Sequence, residues 1–156
     1  MIKLPHQNDI HPHVSSAHFF HLIGGGVRMK KVLVVDDQPD IRKLLSITLE
    51  DDFAVLVAST GQQALDVARA EKPFAILLDI MMPGGIDGIE VLNTIKSTPE
   101  LKHIRVAMVT ARGQQEDLKT GQNYGADAYF VKPFSPLQIL AWLQDEVDHQ
   151  QQHSLP

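Results

Sequence analysis

From Met29 onward the chain repeats one unit, a short apolar run rich in β-branched residues followed by a segment whose apolar positions recur at helical spacing. "KKVLVVD" opens the series as a continuous apolar run suited to a strand buried on both faces. "IRKLLSITLE" follows it, with Ile41, Leu44, Leu45, Thr48 and Leu49 on one helical stripe. The alternation continues through strand "FAVLVAS", helix "GQQALDVARAE", strand "FAILLDI", helix "GIEVLNTIKS", strand "IRVAMVTA", helix "QQEDLKTGQNY", strand "AYFVK" and helix "SPLQILAWLQDEV". Repeated strand-helix units with short connections demand a parallel sheet, right-handed crossovers and helices on both faces. The expected fold is therefore α/β, a (βα)5 unit around a five-stranded parallel sheet. Phe134, Leu137, Leu140 and Leu143 are expected to pack the last helix against the core.

Residues 29–148 form the expected domain, and 156 residues leave room for one full core rather than two. Residues 1–28 show neither strand alternation nor a helical stripe and close on Gly24, Gly25 and Gly26. We read them as a flexible extension, since Met29 opens the first strand and offers an alternative start. The extension holds five of the eight histidines, His6, His11, His13, His18 and His21, a composition also seen in metal-binding tracts. It lacks the basic start and cleavage site of a secretory signal. Residues 149–156 read as a short tail.

A formal charge of -5 argues against a nucleic-acid partner, because that recognition depends on a basic surface that neutralises phosphates. The absence of cysteine excludes disulfides, thiolate metal sites and cysteine nucleophiles. No apolar run approaches the roughly 18 residues that a membrane span requires. The expectation is a soluble, cytoplasmic protein with protein or small-ion partners.

In sheets of this kind, sites form outside the carboxyl ends of the strands. The first strand ends at Asp36 and Asp37, the third at Asp79, the fourth at Thr110 and the fifth at Lys132. Three carboxylates at one edge repel one another and raise their pKa values unless a cation lies among them. A hard divalent cation such as Mg2+ satisfies that demand with oxygen ligands at about 2.0 to 2.1 Å, leaving Thr110 and Lys132 to receive an anion. Taken singly, each residue has a plainer reading. Gln38 and Pro39 after Asp37 suit a loop entering a helix, Asp79 suits a helix cap, Thr110 suits a strand and Tyr129 suits packing. Their convergence on one edge favours a site.

Four segments, "VLVVDDQPDIRKLL", "ILLDIMMPGGIDGIEVL", "VAMVTA" and "GADAYFVKPF", resemble in order and spacing those of the response-regulator receiver domain of two-component signalling, including chemotaxis-type stand-alone receivers. The resemblance spans Met29 to about Val147. It implies a flavodoxin-like doubly wound sheet with strand order 2-1-3-4-5. It also implies a role for each edge residue. Asp79 would accept a phosphoryl group from a phosphohistidine donor. Asp37 would bind Mg2+ directly and Asp36 through water, with Asp79 and the Met81 backbone carbonyl as further ligands and Mn2+ as a substitute ion. Lys132 and Thr110 would contact the phosphoryl oxygens, and receivers of this family characteristically hold the Lys132–Pro133 bond cis. Thr110 and Tyr129 would form the switch that alters the surface of the fourth helix, fifth strand and fifth helix. Met81 and Arg112 stand where this family modulates autodephosphorylation, and together they predict a phosphorylated state longer-lived than in fast chemotaxis-type receivers.

The resemblance further implies a signalling receiver rather than an enzyme, catalysing its own phosphorylation and slow dephosphorylation. Its partners would be a sensor histidine kinase or histidine phosphotransfer protein and a downstream target, with homodimerisation through the switch surface left open. The loop between Asp79 and Asp87 departs from the usual pattern by one residue, with Gly84 and Gly85 where one residue commonly stands. Glycine absorbs such an insertion at little steric cost, so a reshaped loop around an unmoved Asp79 is expected. The chain stops at Pro156, which suggests a single-domain relay or docking regulator, though a piece of a longer regulator would end in the same way. Two other classes compete. A haloacid-dehalogenase-type phosphatase needs a nucleophile and an acid two residues apart at the first strand end, which Asp37 and Gln38 do not supply. A phosphorylation-independent binding module on the same fold is the stronger rival, although such modules usually lose one of the five edge residues retained here.

Overall fold

A computed structural model describes residues 28–111 and 124–154. Five strands, β1 (Lys31–Val35), β2 (Ala54–Ala58), β3 (Ala75–Asp79), β4 (Arg105–Ala111) and β5 (Ala128–Lys132), form one sheet in the order β2-β1-β3-β4-β5. Every pairing is parallel, with Val34 opposite Val57 and Leu77, Asp79 opposite Val109, and Ala111 opposite Lys132. The flavodoxin-like order 2-1-3-4-5 is thus the observed one.

Four helices are described: α1 (Pro39–Leu49), α2 (Gly61–Glu71), α3 (Gly88–Ser97) and α4 (Pro136–Gln152). The helix expected over "QQEDLKTGQNY" lies outside the described residues, as do Arg112 and residues 1–27. The central strands are apolar on both faces because each successive side chain faces a different helical layer. Val32 and Val34 pack with Ala75, Leu77, Leu45, Leu49, Ile139 and Leu143 beneath α1 and α4. Leu33 and Val35 pack with Ile76, Leu78, Ala64, Ala68, Val91 and Ile95 beneath α2 and α3. Burying a Val, Leu or Ile side chain contributes about 1.5–3 kcal/mol, so these two layers are the main source of stability.

Local chemistry sets the helix starts. Thr60 Oγ1 accepts from Gln63 N at 3.2 Å ahead of α2. Asp87 and Glu90 form a reciprocal capping box ahead of α3, each side chain accepting the other residue's backbone N–H at 2.9 Å. Proline occupies the first turn of α1 and of α4, where its missing N–H costs nothing.

Two expectations about α4 need correction. Leu137 is not core: it is 70% exposed, and Ile139 and Leu143 take the buried stripe, with Phe134 and Leu140 packed at its edge. The reason is phase, because Leu137 lies two residues before Ile139 and so on a different side of the helix. The helix also continues past residue 148 to Gln152, its last turn held partly by a contact from Lys30 Nζ to Gln150 Oε1 at 2.9 Å.

Candidate functional site

The carboxyl edge of the sheet brings together four of the residues picked out from the sequence. Asp36 follows β1 directly, and its backbone N–H extends the ladder to Ala58 O at 3.2 Å. Its carboxylate is fixed by Gln38 N, which donates to Oδ1 at 2.9 Å, and by Lys132 Nζ, which donates to Oδ2 at 3.0 Å. Arg42 Nη1 donates to the Asp36 carbonyl at 2.7 Å and ties the turn to α1. Asp37 is exposed at the mouth. Asp79 ends β3, with only 5% of its surface exposed, and accepts from Met81 N at 3.3 Å. Lys132 Nζ stands 3.6 Å from Asp79 Oδ2, and the Lys132–Pro133 bond is cis.

Asp36, Asp37 and Asp79 each offer a carboxylate oxygen, and these oxygens lie within 4.8 Å of one another. Burial pushes the Asp79 carboxyl up to about 7, reinforced by the neighbouring Asp36 charge and opposed by Lys132 and the Met81 amide. Among the described residues, three carboxylates stand beside one ammonium, an excess of negative charge. An all-oxygen donor set of this kind is compatible with a hard divalent cation.

The remaining residues surround this cluster. Thr110 is buried near the end of β4, directly after the residue paired with Asp79, and its hydroxyl donates to Ala111 O at 3.2 Å. Tyr129 of β5 packs against the core layer under α2 and α3. Its hydroxyl is buried without a hydrogen-bond partner among the described residues, and burial together with the Asp127 charge holds its pKa above the ordinary phenol value. Met81 is 65% exposed on the loop leaving Asp79.

Sequence reasoning missed Gly88. A Cβ at that position would overlap the Asp79 carbonyl oxygen and lie 2.7 Å from Ile80 Cα, so only glycine lets α3 start against the end of β3. Its N–H donates to Ile80 O at 2.9 Å. The capping box Asp87-x-x-Glu90 beside it was a readable signal for this junction. The inserted residue is accommodated at Gly84, which takes a φ of +110°, with open space around both Gly84 and Gly85.

Comparison with known proteins agrees with this geometry. The family model described as the response regulator receiver domain matches residues 32–144. The alkaline phosphatase synthesis transcriptional regulatory protein PhoP of Bacillus subtilis is 42% identical over 113 residues, covering 72% of this chain and 46% of that protein. The transcriptional regulatory protein SrrA of Staphylococcus aureus is 40% identical over 111 residues, covering 70% of this chain and 44% of that protein. The chain thus spans less than half the length of these curated relatives. Among solved structures, the chemotaxis response regulator CheY4 of Vibrio cholerae superposes with a TM-score of 0.70 at 33% identity, covering 76% of this chain and 99% of that one. A CheY-like receiver domain protein of Methanospirillum hungatei reaches a TM-score of 0.75 at 28% identity, covering 81% of this chain and all of that one. With its strand order, its acidic edge and a family match over most of its length, the chain belongs to the response regulator receiver domain family of two-component systems.

Proposed function

We propose that the chain is a phosphoacceptor receiver, taking a phosphoryl group from a phosphohistidine donor onto Asp79. The observation that carries this reading is the charge imbalance at the carboxyl edge, where, among the described residues, three clustered carboxylates meet a single ammonium. In the reaction, an Asp79 carboxylate oxygen attacks phosphorus. The new O–P bond forms as the P–N bond of the donor breaks, and the imidazole leaves with the electron pair. Lys132 opposes the charge on the equatorial phosphoryl oxygens, and the Met81 N–H orients the nucleophile. The Thr110 hydroxyl exchanges its bond to the Ala111 carbonyl for one to a phosphoryl oxygen.

Asp37, Asp36, Asp79 and the Met81 carbonyl would hold Mg2+, or Mn2+ in its place, with Asp36 acting through water. When bound, the ion neutralises the carboxylates and the incoming phosphoryl charge. Movement of Thr110 and Tyr129 then alters the surface of β5, the last helix and the segment before β5. A sensor histidine kinase or histidine phosphotransfer protein supplies the input, a target protein reads the altered surface, and the cytoplasm is the compartment. No helix among the described residues is long and apolar enough to cross a membrane.

Phosphorylation and slow dephosphorylation of the chain itself are its chemistry, rather than turnover of a free substrate. The apolar Met81 side chain at the mouth limits water access to the acyl phosphate, as would Arg112, so Met81→Asn should shorten its lifetime. Equal decay rates in the two proteins would remove that role.

The deciding experiment incubates the wild type and Asp79→Ala with acetyl phosphate and Mg2+, read by phosphate-affinity gel and intact mass. An adduct that is lost in the variant and abolished by chelator is the expected result. An unmodified wild type would favour a phosphorylation-independent binding module.

A further inference from the structure

The last helix α4 runs back across the sheet, so its final turns lie at the edge opposite the carboxylates. Lys30, just before β1, contacts Gln150, and Arg105, the first residue of β4, pairs with Glu146. Two histidines that the signalling chemistry does not use occupy this end. His149 and His153 are four residues apart, a spacing that sets Cβ atoms about 5–6 Å apart on one helix face. Both are exposed, and both line an open cleft of about 450 Å³ together with Phe74, Arg105, Glu146 and Gln150.

The two rings are held alike. His149 Nδ1 lies 2.8 Å from Asp145 O, and His153 Nδ1 lies 2.9 Å from His149 O. A carbonyl oxygen only accepts, so each Nδ1 carries a proton and Nε2 is the ring nitrogen left to take a ligand. A backbone carbonyl on the far ring nitrogen is the usual support of a metal-binding histidine, because it fixes the tautomer and raises ligand basicity.

We propose that His149 and His153 form a second cation site, at the amino edge of the sheet, that takes a borderline transition-metal ion such as Zn2+ through their Nε2 atoms. Imidazole suits zinc, copper and nickel, whereas carboxylates and water suit magnesium, so the two edges select different metals. Zinc–nitrogen distances of about 2.0–2.1 Å require the two Nε2 atoms to come within about 4.2 Å. The two exposed rings make that approach by tilting about their Nδ1 contacts, which stay in place. Glu146, one turn earlier, is engaged by Arg105 at 2.6 Å, so water fills the remaining positions.

The test is a Zn2+ titration of the full chain in excess Mg2+, followed by imidazole 15N NMR. The Nε2 signals of His149 and His153 should move together and saturate at one equivalent while both Nδ1 atoms stay protonated. His149→Gln and His153→Gln should each weaken this event by at least about tenfold. His103→Gln, which alters an exposed histidine elsewhere, should leave it unchanged. The proposal is overturned if zinc moves only the histidines of residues 1–28, if it binds only at the Asp36, Asp37 and Asp79 cluster, or if His149→Gln or His153→Gln keeps wild-type affinity.

Discussion

At the amino edge of the sheet, Lys96 and Arg105 face Asp127 and Glu146, cation for carboxylate. At the carboxyl edge, Lys132 is the one cation among the described residues that faces the three carboxylates. Asp127 uses both oxygens: Oδ2 accepts from Lys96 Nζ at 2.9 Å and from Val106 N at 2.8 Å, and Oδ1 stands 3.0 Å from Arg105 Nη1. Arg105 Nε approaches Glu146 at 2.6 Å as an ion-pair contact without hydrogen-bond alignment. Lys96 also reaches the Ile104 carbonyl at 2.7 Å. The first edge is satisfied by its own side chains and joins α3, β4, the turn before β5 and α4. The second is left with a carboxyl whose pKa is raised to about 7, beside an all-oxygen cluster compatible with a divalent cation. One edge is closed by its own ion pairs, and the other carries the excess carboxylates.

If this contrast is right, deleting a carboxylate has opposite signs at the two edges. Asp127→Ala strands the Lys96 ammonium and the Val106 N–H and should cost about 4 kcal/mol in urea denaturation. A cost near zero would break the contrast. Gly88→Ala should cost about 3 kcal/mol, because the added methyl meets backbone atoms that cannot rotate away, whereas Gly85→Ala should be nearly neutral. That pair of variants separates the rigid frame of the acidic edge from its charge.

Asp79→Asn should stabilise the metal-free protein at pH 8 by on the order of 2 kcal/mol. The folded pKa of about 7 exceeds the ordinary value of 3.8, so the folded state retains a proton that the unfolded state releases between those values. Wild-type stability from this group therefore falls as pH rises from about 4 to 7 and levels off above. The advantage of Asn should vanish near pH 4 and shrink when Mg2+ is added, as thermal melts across that range would reveal. The smallest effect is expected at Glu71→Gln. It breaks the Lys31–Glu71 pair, whose 2.6 Å separation is short but whose side chains are 44% and 42% exposed, and the change should stay within about 0.5 kcal/mol. A larger loss would mean that proximity rather than burial governs these pairs.

The strands and the acidic cluster were legible because both follow from order along the chain. Apolar runs mark strands buried on both faces, and parallel connectivity carries every strand end to the same edge, which brought Asp36, Asp37, Asp79 and Lys132 together. Contacts between distant segments were not legible. Nothing near Asp127 in sequence points to Lys96 or Arg105, and the need for glycine at position 88 appears only once α3 is set against Asp79. Leu137 was misassigned because an apolar residue near a helix start carries no mark of which side faces the core.

The open ground at Gly85 has a practical consequence. The chain contains no cysteine, so Gly85→Cys would install the only thiol in the molecule, at a point where a Cβ meets no heavy atom within 4 Å. The loop that carries it is fastened at one end to the Asp79 carboxylate through Met81 N and at the other to the Ile80 carbonyl through Gly88 N. An environment-sensitive dye coupled there would hang in solvent from a tether rooted in the acidic pocket. Arrival of an ion or a phosphoryl group could then be followed by fluorescence in real time, with every donor atom of the pocket left in place.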